Sequence, residues 1–467
     1  MHSIKFGTDG WRAIIADDYT VENVIRVSEA TALWLQKKGA KKVVIGHDCR
    51  FGGGLFEQNA ARVFASFGIH VVLSNGFVST PMVSLAVLQT GADLGVVITA
   101  SHNPPDYNGY KLKSSKGGPS IPSEIAEVEA LIPRIAIQPT LTFKEAEEKG
   151  FVSYLNLEDM YMEHVGLNFN LQKIYSSGLK MAYDAMYGAG QNVIRRLFPD
   201  ALLLRCEYNP SFYGQAPEPI HKNLLGLSEA IQSSDKYAFG LANDGDADRI
   251  GMYDASGNFV DSHHLLLLLL LYLHKYKGLT GKVIVTFSVT DKMKKMAELF
   301  GLECEVTKIG FKYIAEIMTT EDVLVGGEES GGLAVKGHIP ERDGIWIGLL
   351  IMEFMALTGK TLKELIAEVY ALVGPFATDR YDLHISEEIK QQVIDKCKLH
   401  VFNSFGNYNV QREEDLDGFK YYFDEERWVM IRPSGTEPVL RVYAQAPDYE
   451  EVIKILEIVK ADLLKLK

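Results

Sequence analysis

Four short polar loops hold the residue types that could do chemistry in this 467-residue chain. The first is ITASHNPPDYNGYK, residues 98–111, where an apolar run, LGVV, gives way to Ser101, His102 and two prolines. A serine at the tip of such a loop could be a nucleophile with His102 as its base. Adjacent residues seldom form that pair, however, and the GxSxG elbow is missing. The other reading is a serine that carries a phosphoryl group. That chemistry needs a metal and nearby cations, for which Arg12 in GTDGWR and Lys111 in NGYK are candidates.

The second loop, NDGDADR at 243–249, can supply the metal. Asp244, Asp246 and Asp248 alternate, so an extended loop turns all three carboxylates to one side. Hard oxygen donors of this kind suit Mg²⁺ or Ca²⁺. An EF-hand is excluded, because Arg249 and Ala255 stand where its glycine and bidentate glutamate belong. A solvated acidic turn is the plain alternative, against which stands the repulsion of three close carboxylates without a cation. In the third loop, GGEESGG at 326–332, glycines permit close backbone approach, and Glu328 and Ser330 could bind the hydroxyls of a polyol. The fourth, RPSGTEPVLR at 432–441, sets Arg432, Ser434, Gly435, Thr436 and Arg441 together as an anion cradle. A metal, a phosphate cradle, a hydroxyl-binding loop and a serine together fit phosphoryl transfer on a sugar phosphate, where catalysis is largely positioning and charge stabilisation.

These loops must be held by ordered elements. The first 135 residues alternate strand and helix signals: KKVVIGHD, then LFEQNAARVFASFG, IHVVLS, TPMVSLAVLQTG and ADLGVVITA. The pattern returns in LKMAYDAMYGAGQNVIRRLF and in GKVIVTFSVTDKMKKMAELFG. Such alternation predicts βαβ units with mainly parallel sheets, whose carboxyl edges are where ligands bind. The last ~95 residues alternate like antiparallel strands and end in an amphipathic helix with a capping pair, Asp448 and Glu451. The expected organisation is three α/β domains at 1–150, 151–258 and 259–372, carrying the serine, metal and sugar loops in turn. An α+β domain at 373–467 carries the phosphate loop. Residues 139–150, PTLTFKEAEEKG, read as a polar connection.

A net charge of −13 argues against broad nucleic-acid binding, where a basic face is expected. Four widely spaced cysteines without a CxxC pair read as reduced thiols. The run LLLLLLLYL, nine residues from Leu265, is too short to span a bilayer and predicts a buried helix. A cytoplasmic protein without a membrane partner is expected.

In order and spacing, TASHNP, DGDADR, GEESGG and RPSGTEP, with FGTDGWR before them, resemble the motifs of the α-D-phosphohexomutases, which include phosphoglucomutases and phosphomannomutases. The resemblance covers essentially the whole chain. It implies three related α/β domains and an α+β domain around a central active-site cleft. It implies Ser101 as a phosphoserine flanked by Arg12 and Lys111, with His102 beside it. A phosphoserine oxygen with Asp244, Asp246 and Asp248 would hold Mg²⁺. Arg249, Gly310 in KIGFKYI, Glu328 and Ser330 would meet the sugar. Arg342 in HIPERDGIW would supply a further basic group. Arg432, Ser434, Gly435, Thr436 and Arg441 would hold the non-reacting phosphate. The implied substrate is a hexose monophosphate, converted through glucose 1,6-bisphosphate. GEESGG is similar to the glucose-preferring members. Glucosamine-phosphate enzymes and dual glucose/mannose mutases more often carry GE-x-SGH, and Gly332 stands where that histidine would be. The expected reaction is glucose 1-phosphate to glucose 6-phosphate, with phosphomannomutase or dual activity as the alternative. Two rival classes remain open at this stage: a metal-dependent phosphatase with an aspartate nucleophile, and a non-catalytic sugar-phosphate-binding protein.

Overall fold

Apolar β-branched runs build the first sheet. Its strands are β1 (Trp11–Ile14), β2 (Lys42–His47), β3 (His70–Ser74), β4 (Leu94–Ile98), β5 (Tyr107–Ser114) and β6 (Val152–Leu155), ordered β1-β5-β4-β2-β3-β6 in a computed structural model that describes residues 4–7, 9–433 and 439–465. Strands β4, β2, β3 and β6 run parallel, while β5 and β1 are antiparallel additions. The apolar residues of β2 and β4 are fully buried, as parallel strands covered on both faces require. Helices Gly53–Ser66 and Thr80–Thr90 follow β2 and β3. Ser79 caps the second of these, Pro81 sits in its first turn, and Gly91 ends it at φ 62°. The chain leaves β4 directly into Thr99, Ala100 and Ser101.

Strands β7 (Met181–Asp184), β8 (Leu202–Leu204), β9 (Phe239–Asn243), β10 (Ile250–Asp254) and β11 (Phe259–Val260) form a second sheet, ordered β11-β10-β9-β7-β8. Here β8, β7 and β9 are parallel and β10 turns back antiparallel on β9, pairing Asn243 with Ile250. The aspartate loop is therefore the connection of a hairpin, and Ala247 takes φ 56° within it. Strands β12 (Lys282–Thr286), β13 (Cys304–Thr307), β14 (Val323–Gly327) and β15 (Leu333–Val335) follow. The β14–β15 pair is again a hairpin, and its connection is the glutamate loop, 328–332. The leucine run lies in helix Ser262–Leu270 and the π-helical turn that continues it, buried throughout, as its composition predicts.

The C-terminal part is antiparallel. After β16 (Ala377–His384), β17 (Ser404–Phe405) and β18 (Tyr408–Asn409) come β19 (Arg412–Glu414), β20 (Phe419–Tyr422), β21 (Trp428–Pro433) and β22 (Val439–Ala446), with a sheet ordered β16-β22-β21-β20-β19. Helix Tyr449–Leu464 is capped by Asp448, which accepts from the Glu451 amide. The fold is thus three related α/β parts with mixed sheets and an α+β part.

Two local features differ from the sequence reading. Residues 139–150 contain a helix, Phe143–Glu148, held by a reciprocal Thr142–Glu145 capping box. Strand β6, beyond residue 150, pairs in parallel with β3 and extends the first sheet. The molecule divides into two compact units, residues 1–284 with 310–365, and residues 285–309 with 366–467. Among the described residues, no single helix is long and apolar enough to cross a membrane.

Candidate active site

Ser101 stands at the carboxyl end of β4 in a left-handed conformation, φ 52°, which a non-glycine residue adopts only under constraint. Its amide donates to Thr99 Oγ1 at 2.9 Å, and its carbonyl accepts from Arg50 Nη2 at 2.6 Å. Its hydroxyl donates to Asp244 Oδ2 at 2.7 Å and lies 3.4 Å from His102 Nδ1. The two loops touch because residue 245 is glycine: a Cβ there would lie 2.5 Å from the Ser101 carbonyl oxygen.

The three aspartates converge as their alternation predicts. All are fully buried, and an oxygen from each lies within 4.8 Å of the others. Burial, then Asp248 and Asp246, pushes the Asp244 carboxyl well above its usual range. Burial works against Asp246 too, but the Lys111 ammonium more than offsets it and holds Asp246 low. Lys111 Nζ sits 2.8 Å from Asp246, 3.0 Å from Asp248 and 2.9 Å from Asp9. Burial would lower this ammonium; its three carboxylates prevail and keep it charged. Thr80 Oγ1 donates to Asp246 Oδ2, and the Thr80 amide donates to the Asp246 carbonyl, so the start of a helix from the first sheet grips the loop.

The donor set fits a divalent cation. Asp246 Oδ1 and Asp248 Oδ1 are buried and have no hydrogen-bond partner. Unpaired buried carboxylate oxygens are costly unless a cation meets them. Asp244, Asp246, Asp248 and Ser101 Oγ would hold it, and all-oxygen ligation suits Mg²⁺.

The sugar loop adjoins this centre. The Arg249 amide donates to Asp244 Oδ1 at 3.0 Å, and Arg249 bridges to Gly332. Glu328 is pushed up to about 7 by burial, despite Arg342, Arg249 and the Gly310 amide, which donates to it. Ser330 is partly exposed at the turn. Gly310, at φ 134°, precedes helix Phe311–Met318, and the Phe311 ring lies 5.2 Å from the Arg342 guanidinium carbon. Arg342 also pairs with Asp9 and lies 2.8 Å from Asp248. A Cβ at Gly332 would lie 2.5 Å from Arg342 Cδ, so the missing side chain leaves room for this arginine.

Arg12 Nη1 donates to Asn103 Oδ1 at 2.7 Å. His102 is held well below its usual range by burial first, then by Arg249, Arg12 and Lys111, so its imidazole is neutral. His338 faces Asp343 at 2.9 Å and His164 at 3.2 Å and stacks on Trp346. One unit therefore brings together Arg12, Ser101, His102, Lys111, the three aspartates, Arg249, Gly310, Glu328, Ser330 and Arg342.

Arg432 and Arg441 belong to the second unit. They are direct cross-strand partners on β21 and β22; Arg432 approaches Asp417 at 3.4 Å and Arg441 approaches Asp382 at 3.7 Å. Ser434, Gly435 and Thr436 lie outside the described residues.

Sequence reasoning did not find Asp9, Asp48, Arg50, Thr80, Lys113 and Glu341. Asp9 pairs with Lys111, Lys113 and Arg342, and Lys113 also pairs with Glu341 at 2.6 Å. The available signals were Asp9 inside GTDGWR, Lys113 two residues beyond Lys111 on one strand face, and the polar HDCR at the carboxyl end of β2.

Comparison with known proteins gives consistent matches. Models of phosphoglucomutase/phosphomannomutase α/β/α domains I, II and III match residues 3–138, 159–257 and 261–373, and the C-terminal domain model matches 387–461. The phosphoglucosamine mutase of Carboxydothermus hydrogenoformans is 30% identical over 97% of this chain and 99% of its own. The phosphoglucomutase/phosphomannomutase of Thermococcus kodakarensis is 28% identical over 97% of each. A solved structure of a phosphomannomutase family member from Thermus thermophilus is 34% identical, covers 98% of this chain and 99% of that one, and has a TM-score of 0.87.

Proposed function

Because the chain belongs to the phosphoglucomutase/phosphomannomutase family of α-D-phosphohexomutases, we propose that it moves a phosphoryl group reversibly between O1 and O6 of a hexose phosphate. Ser101 is the carrier and a 1,6-bisphosphate the intermediate. The observation that carries this reading is Ser101 Oγ on a strained loop tip, 2.7 Å from Asp244 of a buried aspartate triad. A phosphatase with an aspartate nucleophile gives that loop no task.

The free hydroxyl of the bound monophosphate attacks the phosphorus of phospho-Ser101. The bond from phosphorus to Oγ breaks, a bond to the sugar oxygen forms, and the hydroxyl proton must reach Oγ. His102 Nδ1, 3.4 Å from Oγ, is placed to orient the serine oxygen, and because burial and the surrounding cations keep its imidazole neutral the proton ends on Oγ and not on this ring. Lys111 stays charged, and the Arg342 guanidinium does not titrate, so both act by stabilising charge on the transferring group. A magnesium ion on the aspartates would add electrophilic charge at the phosphoryl oxygens. Glu328 and Ser330 bind sugar hydroxyls, aided by Arg249 and Gly310, while Arg432, Ser434, Gly435, Thr436 and Arg441 hold the phosphate that is not reacting. The bisphosphate then turns over, and its other phosphate returns to Ser101 by the same steps.

For the sugar we favour glucose phosphate. The wall beside Glu328 is the Arg342 stem, which fills the volume left by Gly332. Gly332 also stands where glucosamine-phosphate enzymes more often carry the histidine of GE-x-SGH. Relatives named phosphoglucosamine mutase support glucosamine phosphate as the second reading. A panel of glucose, mannose and glucosamine 1-phosphates, each with Mg²⁺ and a trace of its own bisphosphate, decides. The expected result is a kcat/KM for glucose phosphate at least ~10-fold above the others. A lead for glucosamine phosphate would overturn the sugar and leave phosphoryl transfer standing.

A further inference from the structure

Arg50 is almost completely buried, 1% exposed, and none of its side-chain hydrogen bonds goes to the serine hydroxyl, the aspartates of the metal loop or the sugar loop. Its guanidinium is instead spent on the backbone of one segment. Nη2 donates to the carbonyls of Ser101 and Asn103, both at 2.6 Å; Nη1 donates to those of Pro104 at 2.8 Å and Tyr107 at 2.9 Å. Four carbonyls of the serine loop thus converge on one planar fork. An ammonium has three donors on a single atom and cannot reproduce that geometry.

Asp48 completes the arrangement. Its Oδ1 accepts from the Arg50 amide at 2.9 Å, and its Oδ2 lies 3.4 Å from Arg50 Nε. The same Oδ2 accepts from Thr99 Oγ1, which in turn accepts from the Ser101 amide at 2.9 Å. Both backbone polar groups of Ser101 are therefore fixed from the segment just after β2: the amide through Thr99 and Asp48, the carbonyl through Arg50. That is what the left-handed φ of 52° needs, because a serine released from these bonds relaxes to a right-handed or extended conformation and re-aims its Oγ. Burying a guanidinium is costly, and packing alone does not explain it, since an apolar side chain would fill the space at lower cost.

We propose that Arg50, oriented by Asp48, is a positioning residue for phosphoryl transfer, holding the Ser101 loop so that Oγ faces the metal site in every half-reaction. This rests on the reading of Ser101 as the phosphoryl carrier. The role is in turnover and in loading of the serine, not in affinity for the sugar phosphate.

The test compares wild type, Arg50→Lys and Arg50→Ala in the full-length protein with Mg²⁺. Three quantities are read: kcat and KM for glucose 1-phosphate, the rate at which Ser101 gains a phosphoryl group from glucose 1,6-bisphosphate by peptide mass, and thermal midpoint. Arg50→Lys is expected to lower kcat and the loading rate together by ~10²-fold, the size of effect that misplacing a reacting atom produces, with KM within about threefold of wild type. In Arg50→Ala, millimolar guanidinium should restore kcat about tenfold, and ethylammonium should not, because only a planar fork refits the carbonyls. If the alanine variant does not fold, the lysine variant decides alone. Unchanged kcat in Arg50→Lys, with Ser101 loading normally in wild type, would overturn the positioning role and leave Ser101 as carrier. Failure of wild-type Ser101 to load would overturn the carrier assignment and this proposal with it.

Discussion

Asp246 shows how one residue can answer to several partners. It accepts from Thr80, pairs with Lys111 at 2.8 Å and leaves Oδ1 unpartnered. Asp246→Asn removes the charge and keeps the shape. It is expected to raise the Mg²⁺ concentration for half-maximal activity and to lower kcat by ~10²-fold at fixed millimolar Mg²⁺. An Mg²⁺ titration reads both effects, and an unchanged midpoint would count against the aspartate loop as the metal site. At this scale the sequence was legible wherever side chains converge by local spacing. The three aspartates and the Ser101 tip could be read from short stretches. The partners that tune them could not: Thr80 and Glu341 reach the site from distant stretches that nothing local announces, and Asp9, though inside GTDGWR, gives no sign there of meeting Lys111.

At the scale of elements, hairpins and strand ends do the placing. The aspartate loop joins β9 to β10, and Gly245 allows it to lie against the serine loop. Gly245→Ala puts a Cβ 2.5 Å from the Ser101 carbonyl oxygen, so one loop must retreat. About 10²-fold loss of kcat is expected with the protein still folded, measured by steady-state kinetics beside circular dichroism. The strand–helix alternation was legible because β2 and β4 are uninterrupted apolar runs. The short helix Phe143–Glu148 was not, since a six-residue polar segment has no room for a helical period and the Thr142–Glu145 capping box is its one local signal.

A second element-scale prediction concerns Glu57 on helix Gly53–Ser66. Burial alone pushes its carboxyl up to about 8, and Oε1 has no partner. The folded value lies above the ordinary one of 4.5, so the folded state holds this proton more tightly. Its contribution to stability is full at low pH and is lost as pH rises through about 8. Glu57→Gln removes that dependence. Wild type should lose up to ~4 kcal/mol relative to the variant between pH 5 and pH 9, seen as diverging thermal midpoints. Parallel curves would mean that the carboxyl is solvated.

On the scale of the whole molecule, charge is distributed unevenly. The chain carries −13, yet the centre gathers Arg12, Arg50, Lys111, Lys113, Arg249 and Arg342 among buried carboxylates. Adding a dication and a phosphate dianion leaves the total there unchanged, which suits a site that must hold phosphoserine and metal together. The division between an N-terminal unit with the serine, metal and sugar loops and a C-terminal unit with Arg432 and Arg441 matches the order of motifs along the chain.

The central claim is that Ser101 carries the phosphoryl group during turnover. The direct measurement is peptide mass spectrometry and radiolabel counting on the protein after incubation with ³²P-labelled glucose 1,6-bisphosphate and Mg²⁺, then after a chase with excess unlabelled glucose 1-phosphate, beside Ser101→Ala. The account predicts a gain of about 80 Da, one phosphoryl group, on the peptide containing Ser101. The chase should replace the radiolabel on Ser101 with an unlabelled phosphoryl group within one turnover while the mass gain remains, and Ser101→Ala should keep its fold with at least ~10³-fold less activity. An active enzyme whose Ser101 stays unmodified, or whose label persists through the chase, would contradict it.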